Sequence, residues 1–146
     1  MTGAAREKEA KLLHPFFISL GGTLLMAALF TDFMYSSNGL MQWSNFSAWL
    51  IIGGLVLALL SAIVLATEVA LGRAGTIRRL DFILLAAAVV LSVVNVLVHT
   101  RDAWTSVVPT GIMLSAIVAL LLLVAGIRGW TVTASRAPVR QSESWA

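Results

Sequence analysis

A few polar side chains set among apolar runs have the types needed to move a proton or hold a ligand. The stretch SVVNVLVHTRDAWTSVVPTG, from Ser92 to Gly111, brings Asn95, His99, Arg101 and Asp102 together after a run of aliphatic residues. Asp32 stands late in an earlier apolar segment, and Ser115 stands early in a later one. An acid beside an imidazole is the minimum for proton transfer. Amide and aromatic groups near them suit the two carbonyls of a quinone, and here Asn95, His99, Trp104 and Tyr35 supply them. A second set, His14, Glu68 and Asp81 with Arg78 and Arg79 nearby, offers imidazole and carboxylate groups. They lie on three separate segments with no ligand spacing, so an ion-pair network is expected there rather than a metal.

The segments that must position these groups are apolar. Of 146 residues, 59% are hydrophobic and 12% are charged, and the mean hydropathy is +0.92. A soluble domain of this size keeps too much surface in water to hide that much apolar area. The charges also cluster, leaving long uncharged runs that read as membrane spans. The absence of cysteine excludes disulfides, thiolate metal sites, iron–sulfur clusters and covalent c-type haem. The net charge of +3 does not point to nucleic acid, because the basic residues flank the apolar runs and orient them in a bilayer.

Four spans are expected at about 15–35, 46–71, 80–99 and 107–128, each long enough for a ~30 Å core. The expected fold class is all-α: a four-helix transmembrane bundle, up-down-up-down. Residues 1–13 precede the bundle, which runs over 14–130, and a polar, disordered tail follows at 131–146. Arg6, Lys8, Lys11, Arg73, Arg78, Arg79, Arg128, Arg136 and Arg140 fall on one side and Arg101 on the other. That bias predicts cytoplasmic termini in an inner membrane. Trp43, Trp49 and Trp104, with Tyr35, would then form an aromatic belt at the outer interface. The long N-region, with Glu7 and Glu9, favours a retained first span over a cleaved signal peptide.

Helical spacing groups the polar residues into seams. The seams are His14, Gly21, Ala28 and Asp32 in the first span, and Gly54, Ala58, Ser61 and Glu68 in the second. The third carries Asp81, Ala88, Ser92, Asn95 and His99, and the fourth Gly111, Ser115, Ala125 and Gly129. Small residues let helices approach in lipid, and intramembrane ionisable groups face the bundle and find partners. Two layers follow. The outer holds Asp32, Asn95, His99 and Arg101 with Ser115 deeper; the inner holds His14, Glu68 and Asp81. The outer layer reads either as a hydrogen-bonded clasp, with Asp32 on His99 or Arg101 and Asn95 bridging helices, or as a ligand site.

No phosphate loop, nucleophile elbow or zinc helix is present, so no catalytic residues are assigned. Haem b is disfavoured, because His14 and His99 lie in opposite layers and one chain would lack a second axial histidine.

The residues His14-Pro15, Asp32, FSAWL (46–50), RRL (78–80) and above all NVLVHTRDAWTSVVPTG with Leu114-Ser115 resemble a bacterial membrane family catalogued as domain of unknown function 2231. The resemblance implies a four-helix inner-membrane protein. It also implies a place beside electron-transfer proteins, since related domains accompany c-type cytochromes, Rieske proteins and quinone-dependent sugar dehydrogenases. Many members carry histidines where Ser19, or Leu80, Asp81 and Phe82, stand here. The expectation is therefore a membrane subunit or anchor for a periplasmic oxidoreductase or cytochrome, with quinone as the ligand class and homo-oligomers allowed. The alternatives are a structural membrane protein and a small proton-coupled transporter.

Overall fold

The computed structural model describes residues 12–75, 78–101 and 107–129. Helix α1 spans His14–Asn38, α2 Met41–Ala70, α3 Arg79–His99 and α4 Ile112–Ile127. A wide helical turn, Val107–Gly111, leads into α4 and contains the cis Val108–Pro109 bond. With that turn included, all four helices are long and apolar enough to cross a membrane.

The helices start and stop for local reasons. Pro15 lies in the first turn of α1, where its missing N–H removes no helical bond. Gly39 ends α1 in the left-handed region (φ 66°), and its N–H closes on the Tyr35 carbonyl. Asn38 then accepts the Leu40 N–H through Oδ1 at 3.0 Å. The link between the first two helices is therefore two residues long. The spans expected from sequence leave a polar link over 36–45 with an Asn38-Gly39 turn signal; the turn falls at that signal, and the serines and Gln42 on either side stay helical. Exposed Ser36 and Ser37 return their hydroxyls to carbonyls three residues back. Ser19 and Thr23 do the same four residues back on the lipid-facing side of α1, which satisfies them without water.

The polar contacts fix the up-down-up-down order. The start of α1 meets the end of α2, the end of α1 meets the end of α3 and the start of α4, and the start of α3 meets the end of α4. The most extensive helix contact is between α1 and α2. It is set by glycines: a Cβ on Gly54 would stand 2.7 Å from Leu25 Cγ, and one on Gly21 would stand 3.1 Å from the Gly54 carbonyl oxygen. Around this crossing lies the core of Leu25, Ala28, Ile51, Ala88, Val118 and Leu122. Phe16, Phe33, Trp49, Leu59, Phe82 and Ile127 point outward, where lipid rather than water is their natural solvent.

One belt residue does not follow the expectation. Tyr35 is buried, because it continues the Ala28–Asp32 stripe one turn further and so faces the bundle. Trp43 stacks edge-on with Phe30 and Phe46, at ring separations of 6.5 and 6.0 Å. Trp104 lies outside the described residues, as do the two terminal segments.

Candidate functional site

At the end of the bundle opposite the start of α1 and the end of α4, four side chains from three helices form one hydrogen-bonded set. Asp32 comes from α1, Asn95 and His99 from α3, and Ser115 from α4. Positions 95 and 99 are one turn apart, so both face the seam against α1 and α4. His99 Nε2 lies 2.8 Å from Asp32 Oδ1, and the Ser115 hydroxyl donates to Asp32 Oδ2 at 2.5 Å. Asn95 Nδ2 donates to Ser115 Oγ at 2.7 Å. His99 Nδ1 lies 2.9 Å from the Asn95 carbonyl oxygen. The side chains of Asp32 and His99 are fully buried, and Asn95 and Ser115 are nearly so. Gly111 packs on the imidazole; a Cβ there would stand 3.0 Å from His99 Cε1.

Two proton arrangements complete every hydrogen bond of this set. Both imidazole nitrogens face oxygen acceptors, and a neutral imidazole has only one N–H. The Asp32–His99 pair therefore shares one further proton. It sits either on the ring, as aspartate with imidazolium, or on the carboxyl, as acid with neutral imidazole. In both arrangements every contact has one donor and one acceptor, and the pair is neutral overall. Removing that proton would set two lone pairs against each other inside the bundle, an unpaired polar arrangement that is costly where water is absent. One atom of the set has no partner: Asn95 Oδ1 is buried and accepts nothing among the described residues.

The opposite end carries two separate groups, a pair and a triad, rather than one layer. Glu68, near the end of α2, receives the Leu13 N–H on Oε1 at 2.6 Å and His14 Nδ1 on Oε2 at 2.5 Å. Helix α1 has no side-chain cap of its own, so a carboxylate from α2 caps its positive end. Ser61 adds a bond to the His14 carbonyl at 3.0 Å. Asp81 instead faces α4. Arg128 Nε reaches Asp81 Oδ1 at 2.8 Å and Arg78 Nε reaches Oδ2 at 2.9 Å. Arg78 also donates to the carbonyls of Arg128 and Gly129, satisfying the end of α4. His14, Glu68 and Asp81 therefore do not converge. Arg79 is exposed and pairs with none of them, and Arg101 is exposed beyond the end of α3.

The residues that sequence reasoning missed are partners rather than centres. Arg128 appeared only as a basic residue near the C-terminal tail. Its place at the foot of α4, beside the foot of an antiparallel α3 that carries Asp81, was the available signal. The Leu13 amide and the His14 carbonyl give no sequence signal, since any residue supplies them.

The ligand chemistry is narrow. Among the described residues no three metal-ligand side chains converge. Both nitrogens of His99 are engaged. The free nitrogen of His14, Nε2, is wholly enclosed, so the residues present do not fit haem. No curated protein and no solved structure matches the chain. The profile of one family, described as predicted membrane protein (domain of unknown function 2231), matches residues 11–139. With four apolar helices and nearly the whole sequence matched, the chain belongs to that membrane-protein family.

Proposed function

We propose that this protein is a non-catalytic membrane subunit or anchor serving a periplasmic electron-transfer partner. Its Asp32–Asn95–His99–Ser115 set acts as the lock that holds three helices in one arrangement. The observation that supports this best is that the buried side chains bond to one another across α1, α3 and α4, with Asn95 Oδ1 alone left over. A site built for bond-making keeps a nucleophile or acid directed at open space, and this one spends those groups on each other. The basic-residue bias supports cytoplasmic termini and so an outward-facing lock. The electron-transfer link rests on the family resemblance, an association rather than a geometry.

The test is extraction in a mild detergent. A co-purifying periplasmic oxidoreductase or cytochrome is expected, and a chain that always emerges alone sinks the anchor reading. A second reading has one specific observation in its favour. The unpartnered Asn95 Oδ1 is where a quinol hydroxyl would donate. On that reading an organic extract of the purified protein holds quinone near one per chain, and Asp32→Asn or His99→Ala loses it while staying folded. An extract without quinone removes this reading and leaves the lock.

A further inference from the structure

Away from the lock, a groove of about 500 Å³ runs between α2 and α3, floored by α1. Its floor is Gly21, Gly22 and Leu25, and its walls include Ala58 and Ala62 on α2 and Ala86 on α3. Small side chains leave the room. Leu59, Phe82 and Val90 at its edges are exposed, so the groove opens sideways to the bilayer. This is also the one adjacent helix pair without a polar tie: among the described residues, the polar side-chain bonds of α2 to another helix all go to α1 or its cap, and those of α3 go to α1, α4 or the segment after α4.

The groove has the length of one leaflet. Its α3 wall runs from Phe82 to Val93, about 16 Å at ~1.5 Å per residue, which is half of a ~30 Å hydrocarbon core. It starts at the basic end of the molecule. Arg79 lies one turn before Phe82 and a near-integral two turns before Ala86, so it shares the face of α3 that walls the groove. Its neighbours Arg78 and Arg128 are committed to Asp81. Arg79 is exposed and has no hydrogen bond or ion pair among the described residues.

We propose that this groove binds one anionic phospholipid, with an acyl chain along α3 and the phosphate on Arg79. The charge and the apolar slot lie at the depths where such a lipid carries its own headgroup and chain. A neutral-headgroup lipid would fill the slot without using the cation.

Native mass spectrometry of the full-length, delipidated protein tests this, with dioleoyl-phosphatidylglycerol and dioleoyl-phosphatidylcholine titrated separately. One phosphatidylglycerol should bind about fivefold or more tightly than phosphatidylcholine, the scale of one cation acting on an anionic headgroup. Arg79→Gln, at an exposed position, should abolish that preference without changing the thermal midpoint. Ala86→Leu, which narrows the groove, should weaken both lipids together. Equal affinities in the wild type, or an unchanged preference in Arg79→Gln, overturn the proposal. So does full displacement of the bound lipid by inorganic phosphate or by a neutral isoprenoid quinone.

Discussion

Asp32 shows how a buried charge is made tolerable. Its carboxyl has an imidazole on one oxygen and a hydroxyl on the other, and the shared proton keeps the pair neutral. That leads to an expectation opposite to the usual one for a buried acid. In Asp32→Asn the amide N–H₂ donates to a neutral His99 Nε2 and the amide oxygen accepts from Ser115, so every bond survives. Thermal unfolding in detergent should place Asp32→Asn within about 1 kcal/mol of wild type, and Asp32→Ala about 1–3 kcal/mol below it. Equal losses in the two variants would mean that the lock needs the aspartate–imidazolium form. Residues of this kind are legible in sequence, because ionisable groups are rare inside spans and their helical phase tells which way they face. The choice of His99 over Arg101 was not legible, since both lie within a turn of the same seam. Packing decided it: Gly111 leaves room for an imidazole.

Between helices, glycine and charge do different work. At Gly54 an added methyl meets Leu25 at 2.7 Å, whereas at Gly126 it meets nothing within 4 Å. Gly54→Ala should therefore cost about 1–3 kcal/mol by overpacking. Gly126→Ala should be neutral or gain up to about 1 kcal/mol from helix propensity. Matched thermal melts check both, and equal effects would contradict the α1–α2 crossing described. The Asp81–Arg128 pair joins α3 to α4 at a partly exposed end. A double-mutant cycle with Asp81→Ala and Arg128→Ala should give a favourable coupling that shrinks in 1 M salt. At this scale the sequence was readable in period and poor at boundaries. The seams of α1 and α3 are buried as spaced, because lipid exposure punishes any polar residue out of phase. The Asn38-Gly39 turn signal was legible, but the expected link was too long at both ends, because in a membrane protein a polar stretch can stay helical beyond the apolar core until a residue such as Gly39 stops it.

As a whole molecule, the bundle has one end carrying paired and unpaired arginines and another closed by the lock. Single cysteines report its orientation cleanly, since the chain has none of its own. In intact cells a membrane-impermeant thiol reagent should label Ser37→Cys and spare Gly75→Cys, and the reverse result would invert the topology. Fold class was legible because composition leaves a 146-residue chain no soluble solution. The groove was not legible, because small residues in a seam look alike whether a neighbouring helix or a lipid fills the space beside them.

The separation of the lock's members along the chain has a consequence during synthesis. The hairpin of α1 and α2 is self-sufficient: Glu68, Ser61 and Ser47 all find their partners on α1 or its cap. Asp32 is not, for His99 follows it by 67 residues and Ser115 by 83. At ~5–20 residues per second the ribosome needs about 3–13 s to deliver the imidazole after the acid has been made. For that interval the acid waits in a nascent hairpin without its counterpart. Asp32→Leu should accordingly ease early insertion of the hairpin while destabilising the finished bundle, and glycosylation-tagged or pulse-labelled insertion intermediates would separate the two effects.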